Sequence, residues 1–225
     1  MIVADGIYYA LGLTAGGLLV SYLVNPWFAL PLFILAVFCL YFFRDPERAI
    51  PAGPVAVSPA DGKVVAVRRE NATQTRISIF LNIFDVHVNR APIGGVIAEV
   101  RYNKGKFHVA SREESSTENE QNVVSVRADG TCVVFKQLAG LIARRIVFTK
   151  QAGDLVAKGE RVGLIKFGSR VDVLFGPEWE ITVQPGARVS AGSSVIALRR
   201  DGAGADLVEA RELVPEAREL VHAQA

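Results

Sequence analysis

Four clusters of residues carry types from which chemistry can be built. Gly168 and Ser169 sit inside the β-prone run "LIKFGSRVDVLF" (164–175). His87 lies in "FDVHVNRAP" (84–92) and Asp61 in "SPADGKV" (58–64). The polar stretch "STENEQN" (116–122) and the pair Arg144 and Arg145 in "GLIARRIV" (140–147) make the fourth. A serine hydroxyl is a weak nucleophile until a base takes its proton, and that base is usually a histidine oriented by a carboxylate. Each cluster also has an ordinary reading. A glycine within a strand marks a bulge, here with a solvated serine beside it. Asp61-Gly62 is good turn chemistry. A histidine between Val86 and Val88 is more often a satisfied core residue than a catalyst, and paired arginines are ordinarily surface charge. Taken one at a time, none of them decides.

The elements that must position these residues come in two kinds of text. The chain has 225 residues, enough for one sizeable domain and an appendage. Its 25 Lys+Arg against 23 Asp+Glu give a formal charge of +2, without the basic signature of nucleic-acid binding. Two cysteines, Cys39 and Cys132, argue against a disulfide framework and for a reducing compartment. Three histidines (His87, His108, His222) show no zinc spacing, so no metal is expected. Mean hydropathy is +0.28, and the apolar excess sits at the front. Residues 7–24 and 27–43 contain no charge. As helices these runs are roughly 25–27 Å long, marginal against a hydrocarbon core of about 30 Å, so they predict a membrane-associated hairpin that is embedded or spanning. Aromatic residues gather at its ends (Tyr8, Tyr9, Tyr22, Trp27, Tyr41, Phe42, Phe43), as in an interfacial belt. A signal peptide fits less well, because the N-terminus lacks Lys and Arg, carries Asp5, and leads into a second apolar run. Arg44 and Arg48 at the hairpin exit place the following domain on the cytoplasmic side of the cell membrane. A domain beginning at residue 44 is then expected to fold without the hairpin.

From residue 55 short β-rich runs alternate with turns, which predicts a mainly β barrel or sandwich over 44–200. Only 139–145 reads as a short helix or turn. A weak repeat joins "AGDLVAKGERVGLI" (152–165) to "PGARVSAGSSVIAL" (185–198). Such glycine-punctuated hairpins resemble the hybrid fold of biotin- and lipoyl-carrier domains. The modifiable lysine of a carrier is missing, so the resemblance covers architecture alone. Residues 201–225 repeat "EARELV" about Pro215 and predict a polar-faced helical tail.

Together and in order, "SPADGKV", "FDVHVNR", "GLIARRIV" and "FGSRVDV" resemble the phosphatidylserine decarboxylase proenzyme family in its short-chain branch, over roughly residues 40–198. The resemblance implies self-cleavage between Gly168 and Ser169. Ser169 becomes a pyruvoyl group, the cofactor that forms a Schiff base with the serine head group. It implies His87 and Asp61 as catalytic partners, and Arg144, Arg145 and Arg90 as candidates for binding the substrate phosphate. Large (1–168) and small (169–225) chains stay associated, and a homo-oligomer is left open. The substrate is a diacyl or an archaeal diether serine lipid. Two departures stand out: Gln121 replaces a usual arginine, and Arg90 stands where the longer-chain branch has a second histidine. The competing reading is a non-catalytic, membrane-anchored lipoyl-like β-domain.

Overall fold

A computed structural model describes residues 3–106, 118–140, 145–166 and 169–200. Gly168, Arg144, His108, His222 and the 201–225 tail lie outside the described residues, as does most of the segment read as a short helix.

The two uncharged runs form α1 (Ala4–Leu23) and α2 (Pro26–Phe42). The tight turn between them is set locally. Asn25 caps α2 by accepting the Trp27 N–H at 2.9 Å, and Pro26 occupies the first turn, where no N–H is needed. Gly17 lets the helices close, because a Cβ there would stand 2.7 Å from the Phe33 ring. Much of the outer surface is apolar and exposed, Leu18, Tyr22, Trp27 and Phe28 among it. Among the described residues α1 alone is long and apolar enough to cross a membrane; α2 is a shorter apolar helix of 17 residues containing Pro31.

The β-part runs β1 (Val55–Val57), β2 (Gly62–Arg69), β3 (Thr75–Leu81), β4 (Val88–Arg90) and β5 (Gly95–Asn103). It continues as β6 (Gln121–Ala128), β7 (Thr131–Leu138), β8 (Arg145–Phe148), β9 (Leu155–Val156) and β10 (Arg161–Lys166). Last come β11 (Ser169–Phe175), β12 (Trp179–Ile181), β13 (Arg188–Val189) and β14 (Val195–Arg199). An eight-stranded sheet has the order β13-β2-β3-β11-β7-β6-β5-β9, and two three-stranded sheets have the orders β1-β14-β12 and β4-β10-β8. Every strand pairing is antiparallel, as short runs joined by turns require. Alternate residues of the central strands (Ile77, Ile79, Phe135, Val171, Val173, Phe175) make a dry core.

One expectation fails here. Residues 164–175 are not a single bulged strand, because β10 and β11 belong to different sheets and the chain changes sheet between Lys166 and Ser169. Nor is Ser169 solvated; it is fully buried. Apolar runs look alike in sequence whichever sheet they join.

The repeat, by contrast, is structural and larger than its sequence trace. Equivalent residues recur 33 positions apart, as Gly62 and Gly95, Gly153 and Gly186, Gly159 and Gly192. The Gly153 N–H donates to Ile97 O and the Gly186 N–H to Val64 O, both at 2.8 Å. Likewise the Gly159 N–H donates to Ala91 O and the Gly192 N–H to Ser58 O, both at 2.8 Å. Thus β2 with β13, and β5 with β9, are copies of one unit. At its start Gly62 (φ 148°) and Gly95 (φ 151°) adopt the same left-handed backbone, hard against a neighbouring carbonyl.

The hairpin is not a detached anchor. Asp5 of α1 pairs with Lys166 of β10 at 3.0 Å, and the Val3 N–H donates to Phe43 O at 2.9 Å. Phe42 and Phe43 pack on Leu164. Just beyond, Asp45 is buried between Arg90 (3.0 Å) and Arg161.

The duplicated unit makes a checkable prediction. A Cβ at Gly95 would stand 2.3 Å from Arg127 O, whereas Gly130 (φ 78°) faces open space. Gly95→Ala should cost about 3 kcal/mol or more in denaturant unfolding, and Gly130→Ala about 1 kcal/mol. Equal costs would remove steric closure as the reason for glycine at position 95.

Candidate active site

Ser169 opens β11, the strand held by β3 on one side and β7 on the other. Its partner in register is Leu81, the last residue of β3. From Leu81 the chain runs through a short loop to His87, whose carbonyl accepts the Ile165 N–H at 3.3 Å. Ile165 in turn lies four residues before Ser169. The segments 81–87 and 165–169 therefore form a closed circuit, tied at both ends, with the serine and the histidine on it.

Neither side chain is satisfied. Among the described residues, three buried side-chain atoms have no hydrogen-bond partner: Ser169 Oγ, His87 Nε2 and Gln121 Oε1. A buried polar group without a partner costs about 1–3 kcal/mol, so two of them on one circuit call for a function. The reading of His87 as a satisfied core residue does not hold.

The His87 ring is only 2 % exposed. Its Nδ1 lies 2.9 Å from Asp85 O, an acceptor, which assigns the proton to Nδ1 and leaves a lone pair on Nε2. Burial lowers the pKa from 6.5 to about 4; the Asp85 carbonyl and carboxylate oppose this, and Arg44 adds to it. At neutral pH His87 is therefore an uncharged base with an open acceptor.

Asp61 stands differently from the expectation of a carboxylate aligned on the histidine. Its oxygens accept from the Ala191 N–H (2.7 Å) and from Arg48 Nη2 (2.8 Å). Burial raises its pKa, against the pull of Ala191 and Arg48, and the nearby Asp85 raises it further. Asp85 is thus the carboxylate whose field reaches both Asp61 and His87. It is fixed by the Asn82 N–H (2.9 Å) and Arg188 (3.1 Å). Position 85 is within "FDVHVNR", two residues before the histidine, and that spacing is the only signal the sequence offers for it.

The candidate arginines divide. Arg145 is exposed at the start of β8, in register with Lys166 near the serine end of β10. Arg90 is buried, with its guanidinium on Asp45, Gly159 O and Pro46 O, which fits a tether rather than a ligand contact. Sequence reading also missed a chain of buried amides. Asn122 Nδ2 donates to Gln137 Oε1 (3.0 Å), Gln137 Nε2 to Asn89 Oδ1 (2.9 Å), and Asn89 Nδ2 to Pro59 O (3.4 Å). It joins "STENEQN", "FDVHVNR" and "SPADGKV" beside β11, where Val171 is in register with Gln137. A surface groove of about 940 Å³, lined by Gly94–Ala98 and Arg127–Gly130, contains none of these residues.

Fold and site together describe an antiparallel β-domain with an unsatisfied buried serine and histidine at the root of an apolar helical hairpin. The family model for phosphatidylserine decarboxylase matches residues 35–197. Over 200 residues the chain is 71% identical to a phosphatidylserine decarboxylase proenzyme of Solibacter usitatus, covering 89% of this chain and 98% of that protein. It is 45% identical to a protein of the same name from Cupriavidus taiwanensis (81% and 90% covered) and 44% identical to one from Neisseria meningitidis (81% and 72%). The chain belongs to the phosphatidylserine decarboxylase family.

The depressed proton affinity of His87 sets a pH dependence. Between pH 6.5 and about 4 the unfolded chain binds a proton that the folded chain refuses, so stability falls as pH falls through that window. In a Ser169→Ala background, His87→Gln should flatten the profile of unfolding free energy against pH there by roughly 3 kcal/mol. Parallel profiles would show His87 to be solvated.

Proposed function

We propose that this chain is a phosphatidylserine decarboxylase made as a self-processing precursor, which converts a serine phospholipid to the ethanolamine lipid and carbon dioxide. The observation that carries the self-processing step is the buried Ser169 Oγ without a partner, on one circuit with the free His87 Nε2.

In this reading His87 Nε2 takes the hydroxyl proton as Ser169 Oγ bonds to the Gly168 carbonyl carbon. The C–N bond between 168 and 169 breaks, the amine takes up the proton, and an ester remains. Loss of the residue-169 Cα proton then breaks the Cβ–Oγ bond. This releases 1–168 as a carboxylate and leaves a dehydroalanine, which takes up water and loses ammonia to give the pyruvoyl group. That group supplies an electron sink for the charge left when carbon dioxide departs. His87 serves again as the acid that returns a proton to carbon. A ring whose pKa is about 4 is a strong donor once charged. Asp61, neutralised by Arg48, acts through placement of the 58–64 turn. Arg145, with Arg144, is assigned to the substrate phosphate.

The same reading treats 1–43 as the membrane hairpin, 44–200 as the catalytic domain facing the cytoplasm, and 201–225 as an appended tail. The two 33-residue-spaced units support a barrel-sandwich hybrid of the biotin- and lipoyl-carrier kind. The exposed apolar surface of α1 and α2 supports anchoring in the cell membrane.

Intact mass and denaturing electrophoresis test the processing. Purified protein should contain fragments 1–168 and 169–225, the smaller with a blocked N-terminus, and should release carbon dioxide from a serine phospholipid in micelles. Ser169→Ala should stay one chain without activity. An active uncut chain with an ordinary serine would falsify the proposal.

Membrane attachment has its own test. At about 1 M salt the screening length is near 3 Å, so charge attraction alone would be lost. The protein should remain with membranes in such a wash and leave only with detergent. Release by salt alone would remove hydrophobic anchoring.

A further inference from the structure

The last residue of α2 touches the catalytic histidine. The Phe42 and His87 rings lie 4.3 Å apart between centroids, tilted by 34°. Both are almost wholly buried, at 1 % and 2 % exposure. Phe43 meets Phe42 edge-on at 4.9 Å, and both pack on Leu164, the residue before the one whose N–H holds the His87 carbonyl. The end of α2 also grips the loop that delivers the histidine. Arg44 Nη2 donates to Phe84 O at 2.7 Å and Tyr41 OH donates to the same carbonyl at 3.3 Å. The Asp5–Lys166 pair holds α1 to the strand that leads into the serine.

We propose that Phe42 is a positioning residue for His87: the membrane hairpin ends as one wall of the active site and keeps the histidine dry and correctly turned only while it is docked. The proposal rests on the reading of His87 as the proton carrier. An apolar ring against the imidazole face excludes water from that face and fixes the ring plane, leaving Nδ1 on Asp85 O and Nε2 open. The charged groups that act on the imidazole are Asp85 from its own loop, which favours protonation, and Arg44 from the end of α2, which opposes it. Desolvation outweighs both, and Phe42 is the aromatic side chain stacked on the ring. Pairing with Asp5 turns the Lys166 ammonium toward α1. The hairpin is therefore more than the separable anchor that its sequence suggests: removing 1–43 would unroof His87.

The test is a histidine titration by NMR on full-length, uncut Ser169→Ala protein in detergent micelles. The chain has three histidines, and His87→Gln assigns the signal. In the parent, the His87 signal should not titrate above about pH 5. Phe42→Ala should raise its midpoint by about one pH unit or more, towards the ordinary 6.5. Phe42→Val should give a smaller rise if the alanine variant does not fold, and Phe42→Met, which keeps an apolar wall, should stay near the parent. With Ser169 restored, Phe42→Ala should cleave itself roughly tenfold more slowly at pH 5 and recover part of that loss as pH rises. Folded Ala and Val variants that titrate like the parent overturn the proposal. Normal cleavage in His87→Gln would instead overturn the catalytic reading of His87, while the titration still decides whether Phe42 shields it.

Discussion

The buried carboxylate of Asp45 holds the two halves of the molecule to each other. It is 5 % exposed and lies between Arg90 and Arg161. A buried charge is stabilising only where its hydrogen bonds are complete; left with one partner it is costly. Here the surroundings complete them, since Arg90 also reaches Gly159 O and Pro46 O, and Arg161 reaches Glu47. Three residues on, Arg48 binds Asp61. The segment 44–48, which reads as a positive flank to a membrane helix, is thus a collar. One edge of it carries the hairpin, and the other fixes the 58–64 turn and the strand that follows His87. Its charges fix a register between the hairpin and the β-domain.

The internal duplication explains how a symmetrical frame yields a one-sided site. Position 61 corresponds to 94 and position 191 to 158, so the N–H that Asp61 accepts from Ala191 has its counterpart on Lys158, beside Gly94. A Cβ at Gly94 would stand 3.2 Å from that nitrogen. Both halves present a backbone donor at this place, and only the first has a carboxylate there, with Arg48 to hold it. The second half ends in an open groove over the same glycine turn. The charged pair stands in one copy only, on a backbone turn common to both.

How much of this was legible in sequence depended on whether a signal was local. Two uncharged runs, β-alternation and glycine spacing are properties of neighbouring residues, and they gave the hairpin, the mainly β domain and the trace of the duplication. Ser169 and His87 were legible through the motifs around them. What stayed hidden depends on pairings across long sequence distances. Phe42 is one more apolar residue at the end of a membrane-like run, and nothing near it says that it meets His87. Arg48, Asp61 and Ala191 come together only when β2 and β13 pair. The Asn122–Gln137–Asn89 chain crosses three strands, and the change of sheet after Lys166 is invisible in a run that is apolar on both sides.

If the chain is cut between 168 and 169 as proposed, that change of sheet lets the strands keep their pairings. β10 is held by β4 and β8, and β11 by β3 and β7. A break after residue 168 severs the link between two ladders and no hydrogen bond within either. The described strands after it remain woven into what precedes it, with β11 central in the large sheet, β13 on β2 and β14 on β1. Arg170 is fully buried on the face opposite the core, bonded to Asp172 and Ser78, so the second residue of the new chain is anchored before any cut is made. The first residue, at 169, is left as a buried chain end in line with that anchor. In the proposed reading, a reactive group formed at 169 is held by a strand that is paired on both sides.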